Sequence, residues 1–436
     1  MNDYRMGTDF YHAQVLADAF ANHLRWVPQW GWMLWDGKRW RMDEGEATVM
    51  RWASETLVHH YLSSDLETKI RQKMARQAMG ANKVHSALAY LRSFLKAEVE
   101  QFDGHDLLLN TPSGVVDLTT GSLLPHSPSY YLTCMTRAPY QFNASAPTFV
   151  AFLNEIFHDN QELIHYVQKL LGYSLRGGNP EQVFIILWGR GANGKTTLME
   201  SILWAMGDYA RETPPETFEL ISDHTVRNDL ARLAGTRIVS TSESKETCRL
   251  DAATIKRLTG GDMITARFLY KEYFEFHPKF TPFMKTNFKP WLPGDDMAVW
   301  RRIRLIPFTV SIPPEKQNKN LLNMLKEESE GILAWLVHGY LAYQSEGLGI
   351  AKEVHLATQE YHREASSVVA FLQDCTEPEG EVSAQSLYQS YVAYCQEEGI
   401  EPCSITTFGR KLKNLGYSKE KKRNGVFYLD IHLKKK

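Results

Sequence analysis

Residues 183–197 read VFIILWGRGANGKTT. The apolar run Val183–Trp188 is a strand-length stretch with no polar alternation, which points to a strand buried on both faces. The loop after it, Gly189-Arg190-Gly191-Ala192-Asn193-Gly194-Lys195-Thr196, fits GxxxxGK[ST], with Thr197 next. Glycines let backbone N–H groups turn inward around phosphate oxygens, and a helix starting at Lys195 aims its positive dipole end at the same point. Lys195 then reaches the β- and γ-phosphates of a nucleotide, and the Thr196 hydroxyl ligates Mg²⁺. Gly189, Gly191, Ala192, Asn193, Gly194, Lys195, Thr196 and Thr197 are therefore the expected ATP-binding loop.

Such a loop needs an acid at the tip of a neighbouring strand. Arg237–Glu243 (RIVSTSE) supplies a short apolar strand ending in Glu243, which can hold the water shell of Mg²⁺ or polarise the attacking water. The bland alternative is a surface Glu opening a loop. Only one acid stands there, because Ser242 fills the preceding slot. Phe280–Thr286 runs into Asn287, placed to orient water beside a γ-phosphate, although a lone Asn is more often a turn former. Then comes Trp300-Arg301-Arg302-Ile303-Arg304. Arginine stabilises charge on a transferring phosphoryl group and can act across a subunit boundary, while an arginine pair on a solvated face is the commoner case.

Around this core the chain alternates Val183–Trp188, Arg237–Thr241, Lys279–Lys285 and Ile303–Phe308 with helical segments, which indicates an α/β domain with a largely parallel sheet. We expect four parts: a mainly helical segment 1–105, a small β-rich segment 106–146, the ATPase core 147–350 and a basic domain 365–436. In the first, Trp26–Trp40 (WVPQWGWMLWDGKRW) carries an Asp36-Gly37 pair that suits a type I′ hairpin turn. Helical periodicity runs from Thr48 to Gln101. In the third, helical sequence from Pro147 ends at the Gly177-Gly178 pair. In the last, three helices (Ser366–Leu372, Ser386–Glu397, Ile405–Leu415) precede a hairpin over Lys419–Leu433 turning at Asn424-Gly425, the pattern of a winged helix with Ile405–Leu415 as recognition helix.

The whole chain has 436 residues, 49 Lys+Arg and 51 Asp+Glu, a net charge of -2, and a hydrophobic share of 43%. These values exclude a disordered or fibrous chain, and no apolar run reaches membrane-helix length. Five cysteines without a CxxC pair, and no apolar leader in the first twenty residues, read as a cytoplasmic protein without a zinc knuckle. His59, His60 and His165 have no partner at metal spacing. Charge is uneven, however: residues 410–436 hold ten Lys/Arg against Glu420 and Asp430, a local +8 that leaves -10 for the rest.

GRGANGKTT, RIVSTSE, the block IKRLTGGDMITARFLYKEYFEFHPKF, KTN and WRRIRLIPF resemble, in order, the superfamily 3 helicases of the AAA+ class. More narrowly, they resemble the helicase region of phage- and plasmid-type primase–helicases related to the poxvirus replication helicase. WDGKRW, LLNTPSGVVDLTTG and IHYVQKLLGYSLRGG look like the part preceding the motor in that family. The resemblance covers most of residues 10–310. Together with the segments read above, it gives the expected fold as α/β: an AAA+/superfamily 3 P-loop ATPase core with a mainly helical N-terminal domain and a C-terminal winged helix. It also implies ATP and Mg²⁺ as cofactors, a ring that is usually hexameric, and 3′→5′ travel on single-stranded DNA. By position, Lys195 and Thr196 match the phosphate-binding pair, Glu243 the acidic tip, Asn287 the sensor, and Arg301 or Arg302 the trans-acting finger, with spacing favouring Arg302. A DNA-gripping pore hairpin falls near Phe268, Tyr270 and Lys271, where the amine can meet a phosphate and the rings a base; the alternative is a set of sheet residues facing a core.

Upstream, about 140 residues precede the motor without a Cys/His cluster or a carboxylate pair on strand-like sequence. The chain thus reads as a stand-alone helicase or a piece of a longer primase, its initial Met favouring the former. The leading expectation is an ATP-driven replicative helicase of a phage, plasmid or other mobile element, acting on single-stranded and forked DNA, with a separate primase or other replication proteins as partners. Lys411, Lys413, Lys421, Lys422 and Arg423 are its expected duplex contacts. The alternatives are an origin-binding initiator whose ATPase drives assembly and local melting, and a signalling ATPase with no DNA role.

Overall fold

A computed structural model describes residues 5–220, 227–245, 248–267, 273–294, 296–365, 367–398, 402–423 and 425–434. The chain divides into two units, residues 1–144 with 206–208 and residues 145–205 with 209–436. The helical and β-rich segments expected as separate domains both fall in the first.

In that unit α1 (Asp9–Phe20) begins at Thr8, whose hydroxyl accepts the Tyr11 N–H at 3.2 Å. Strands β1 (Leu24–Val27), β2 (Gly31–Trp35) and β3 (Trp40–Met42) form an antiparallel meander. The Asp36-Gly37 turn joins β2 to β3, but it is not type I′. Gly37 has φ +94° while Asp36 stays at negative φ, its carboxylate instead accepting the N–H groups of Lys38 and Arg39, both at 2.9 Å. Type I′ requires two left-handed central residues; the aspartate side chain takes over the closing hydrogen bond. Helices α2 (Ala47–Leu62), α3 (Thr68–Ala78) and α4 (Ala81–Phe94) realise the periodic stretch. Val49, Ala53, Leu57 and Tyr61 recur every four residues and are buried in one core with Leu16, Leu88 and Trp32. A second meander, β4 (Leu108–Thr111), β5 (Gly114–Asp117) and β6 (Ser122–Leu124), completes the unit.

The second unit opens with α5 (Pro147–Ile156) and α6 (Gln161–Tyr173), separated by His158 and Asp159 in left-handed conformation. The helix ends four residues before the expected stop at Gly177-Gly178: α6 closes at Ser174, whose hydroxyl bonds back to Leu170 O at 2.8 Å. The next elements are β7 (Phe184–Trp188), α7 (Lys195–Met206), β8 (Ala210–Thr213), α8 (Asn228–Ala231), β9 (Ile238–Thr241), α9 (Ala252–Gly260), β10 (Ile264–Ala266), β11 (Phe274–Phe276), β12 (Thr281–Thr286), α10 (Met297–Trp300) and β13 (Ile303–Pro307). A five-stranded sheet has the order β13-β7-β12-β9-β8, every pair parallel. After β7 the chain winds to the far edge and returns strand by strand to β12, then crosses to the other side of β7 as β13. The winding direction therefore changes at the adjacent strands β7 and β12, and the crevice beyond their carboxyl ends is where open parallel sheets bind ligands.

Helices α11 (Leu321–Glu327), α12 (Ser329–Glu346) and α13 (Lys352–Ala365) come after the sheet. Two glycines let α12 meet α6 backbone to backbone: a Cβ on Gly172 would lie 2.6 Å from Leu336 O, and one on Gly339 would collide with the Gln168 carbonyl.

The C-terminal stretch forms α14 (Ser367–Cys375), β14 (Thr376–Ser383), α15 (Ala384–Glu397), α16 (Ile405–Asn414), β15 (Lys419–Lys422) and β16 (Gly425–Leu433). Its antiparallel sheet has the order β14-β16-β15. Phe371, Leu387, Tyr391, Phe408, Leu412 and Tyr428 fill the core, with Tyr391 and Phe408 stacked at 4.7 Å. Strand β14 escaped the sequence because TEPEGEVS has no apolar alternation; it pairs through its backbone and is broken by a bulge between Pro378 and Glu381.

Candidate functional site

Three strand ends meet at the crevice. From β7 the chain turns through residues 189–194, with Ala192 at φ +56° and Gly194 at φ +85°. Gly194 is forced as much by space as by dihedral, since a Cβ there would press on Ile156 and Phe152 at 2.6 and 3.0 Å. Gly189 is likewise hemmed in by Phe308 O and the Asn193 amide. The buried Asn193 pins the loop from within, donating from Nδ2 to Arg190 O at 3.2 Å and Phe308 O at 3.3 Å. Ile312 N–H donates to Ala192 O at 2.8 Å, so the segment after β13 braces the loop from the other side. In α7 the first helical hydrogen bond is Leu198 N–H to Gly194 O at 2.9 Å, which leaves the preceding first-turn amides without intrahelical acceptors.

Lys195 is only 2% exposed. Its ammonium donates to Gly189 O at 2.6 Å, Asn193 Oδ1 at 3.0 Å and Asn287 Oδ1 at 3.0 Å. All three acceptors are neutral, so the charge is solvated but not cancelled. Burial pushes its pKa below the ordinary lysine value, and the negative charge of Glu243 opposes that shift. Asn287 stands immediately beyond β12, and its other end, Nδ2, donates to Glu243 Oε2 at 3.1 Å. An amide oxygen toward a cation and an amide nitrogen toward a carboxylate is the orientation that both neighbours require. Asn287 thus spans Lys195 and the exposed acid beyond β9, and the structure brings together three of the residues expected from sequence.

The loop carrying Glu243 is anchored by its neighbour: Ser244 Oγ donates to Thr286 Oγ1 at 2.9 Å and Ser244 N–H to Lys285 O at 3.3 Å. Thr196 is exposed on the first turn of α7 and Thr197 half-buried. A hydroxyl and a carboxylate are the kind of oxygen donors that suit Mg²⁺. Among the described residues no group of three or more His, Cys, Asp or Glu could hold a metal ion by itself.

Sequence reading passed over Lys285, a buried cation on β12 paired with Glu212 of β8 at 2.9 Å. Its place in the mainly buried strand two residues after Phe283 marked it only as a sheet residue. Beside this pair lies a cleft of about 420 Å³ lined by Glu212, Glu216, Glu243 and Lys245.

The two arginines separate. Arg302, 7% exposed, donates from Nε to Thr259 Oγ1 at 3.0 Å and from Nη1 to Ala298 O. Burial and the adjacent Arg301 lower its pKa from the ordinary arginine value. The guanidinium is thus folded against the ends of α9 and α10, unlike that of Arg301. That residue is exposed, with Nη2 donating to Gln182 Oε1 at 2.5 Å.

Phe268, Tyr270 and Lys271 lie outside the described residues, between β10 and β11. In the C-terminal sheet and helix, Lys413, Lys421 and Arg423 are exposed and Lys411 half-buried. Lys422 differs: its amine pairs with Glu381 of β14, and that hydrogen bond holds its pKa above the ordinary value. The histidines have ordinary partners: His60 Nε2 meets Tyr11 OH at 3.0 Å, and His165 meets Glu346 at 2.8 Å. No helix of the described residues is long and apolar enough to cross a membrane.

Residues 13–158 match the family described as D5 N terminal like, and residues 363–432 match Poxvirus D5 protein-like. A protein of Acanthamoeba polyphaga mimivirus, named as a candidate helicase (L207/L206), is 30% identical over 68% of this chain and 33% of its own length. A candidate helicase of Frog virus 3 (022R) is 31% identical over 39% of this chain and 18% of its own. A candidate primase of African swine fever virus (C962R) is 24% identical over 47% of this chain and 22% of its own. The chain therefore spans about a third or less of the length of these relatives. Among solved structures, the apo form of the NrS-1 C-terminal region (305–718) superposes with a TM-score of 0.53 at 10% identity, over 97% of this chain and 99% of that one, which is a likeness of fold.

Proposed function

The chain belongs to the poxvirus D5-like primase–helicase family, and on that premise we propose that it is an ATP-hydrolysing DNA helicase motor of the AAA+ superfamily 3 class. The observation that carries this reading is the Lys195–Asn287–Glu243 chain across three neighbouring strands of the parallel sheet. In it, Lys195 leaves Asn287 and Gly189 for the β- and γ-phosphates, exchanging neutral acceptors for anionic ones, which raises its lowered pKa again. Asn287, released at one end, orients a water held by Glu243 toward the terminal phosphorus. First-turn amides of α7 and the residues 189–194 enclose the remaining phosphate oxygens. Thr196 with Glu243 would hold Mg²⁺, which would supply neutralisation of charge on the phosphate oxygens. Arg301 reaches the site of an adjacent subunit, which makes the active form a ring, hexameric by family analogy, drawing single-stranded DNA in the 3′→5′ direction. The C-terminal module acts as a winged helix, with α16 and the β15–β16 hairpin against duplex or forked DNA.

The test is ATPase and strand separation on forked duplexes bearing only a 3′ or only a 5′ tail, together with mass by light scattering. The reading requires Mg²⁺-dependent hydrolysis, unwinding from the 3′ tail, and a mass several times that of one chain. Unwinding confined to the 5′-tailed substrate, or strand separation that survives Lys195→Ala, defeats it. Local melting of an origin-like duplex without travel on tailed substrates would favour the initiator reading.

A further inference from the structure

We propose that α13 is a coupling strut: it positions the loop that follows the sensor Asn287 and transmits DNA engagement at the C-terminal module to the hydrolytic site. This inference rests on the reading of Lys195 and its neighbours as an ATPase and of residues 367–434 as a DNA-binding module.

Four consecutive residues of α13 divide between two tasks. Tyr361 donates its hydroxyl to Pro290 O, and its ring packs on Trp300 at 4.8 Å. His362 Nε2–H donates to Gly294 O at 2.7 Å, with its ring 4.4 Å from that of Trp300. Glu364 takes the Lys289 amine on both oxygens, at 2.8 and 2.9 Å. Residues 288–294 leave directly from Asn287, so these three side chains fix the exit of the sensor. Lys289 also sits 4.7 Å above the ring of Trp188, the last residue of β7 before the phosphate loop. One amine thus touches the root of the phosphate loop, the sensor loop and α13.

The remaining residue, Arg363, points the other way. Its guanidinium pairs with Asp374 of α14 at 2.9 Å, and the same carboxylate accepts the hydroxyl of Tyr394 from α15 at 3.0 Å. Higher up, Thr358 Oγ1 accepts the N–H of Leu305 on β13, tying the helix to the sheet itself at 3.0 Å. Apolar packing alone would hold α13 on the sheet. Polar bonds aimed at main-chain oxygens of a single loop, with the next residue bonded to the following helices, make a helix whose displacement must move both ends.

The roles of Glu364 and Asp374 are positioning ones, exerted through Asn287, since neither touches the phosphate site. Glu364→Gln and Asp374→Asn break opposite ends of the strut in the full chain. Steady-state ATPase with and without a 3′-tailed fork, DNA affinity by anisotropy, and melting temperature are measured for each. Wild-type hydrolysis is expected to rise with DNA, and both variants should keep DNA-free kcat and KM to within about twofold. Both should also keep the wild-type dissociation constant for DNA yet lose stimulation by roughly fivefold or more. Glu364→Asp, which preserves the ion pair, should recover part of the stimulation. Full stimulation in either variant, or loss that merely tracks weaker DNA binding or a lower melting temperature, overturns the strut. Wild-type ATPase that is indifferent to DNA overturns it too while leaving the ATPase reading standing; absence of any wild-type ATPase removes the reading first.

Discussion

The chain presents positive charge in two places, and it does so by opposite means. At the crevice one lysine is buried, fixed by three hydrogen bonds and depressed in pKa. On the C-terminal module Lys413, Lys421 and Arg423 are solvated and spread over a helix and a hairpin. A buried cation works through geometry, where about an ångström of displacement is costly. A solvated cluster works through number, each charge adding a similar increment to phosphate attraction. The first kind of site fails all at once and the second by degrees.

That contrast breaks most sharply at Lys195. Lys195→Ala should lower ATPase kcat by about a hundredfold or more in a steady-state assay, as loss of a preorganised charge does. Asn287→Ala, which cuts the link between Lys195 and Glu243, should lower kcat by roughly tenfold or more with little change in KM; an effect on KM alone would make Asn287 a binding group.

Next come the arginines. Arg301→Ala should reduce hydrolysis only in the assembled form, visible as loss of the protein-concentration dependence of specific activity. Arg302→Ala should instead reduce folding stability by about 2 kcal/mol in urea titration, through its lost buried hydrogen bonds. If Arg302→Ala spared stability and removed activity, the proposed role of Arg301 would pass to Arg302.

A pH profile sharpens the comparison further. Lys195 has a lowered pKa, so at saturating ATP any deprotonation would lower kcat on the alkaline side. Phosphate contact raises that pKa again, so the alkaline limb of kcat/KM, which reports free enzyme, should lie at lower pH than that of kcat. Free folded chain also holds this proton less tightly than unfolded chain, so this group makes stability rise with pH between the depressed value and the ordinary 10.5. The smallest effects belong to the solvated cluster. Lys413→Gln, Lys421→Gln and Arg423→Gln should each reduce the salt slope of DNA affinity by about 0.9 if each contacts one phosphate. Lys422→Gln, already paired with Glu381, should change it least.

Most of the geometry of the crevice was legible in the residues. A fixed-length glycine-rich loop after an apolar strand has few ways to fold, and the places of Glu243 and Asn287 just beyond β9 and β12 followed from the parallel sheet. The features that escaped were set by contacts far apart in sequence. β8 (ARET) and β14 (TEPEGEVS) have no apolar alternation, because backbone pairing to a neighbour holds them in place. The burial of Arg302 depends on Thr259, 43 positions away, and spacing alone could not tell it from Arg301. The end of α6 at Tyr173 owed nothing to the glycine pair, because a serine hydroxyl closed the helix first.

The contact between Gly172 and Gly339 has a mechanical corollary. At those two points the helices have no side chain between them to re-pack, which leaves few intermediate positions to occupy there. α6 and α12 form a seat that resists sliding at these points. On the proposed ATPase reading, displacement as nucleotide comes and goes would appear elsewhere in the unit, and any residue larger than glycine at either point would prise the seat open before it altered the chemistry.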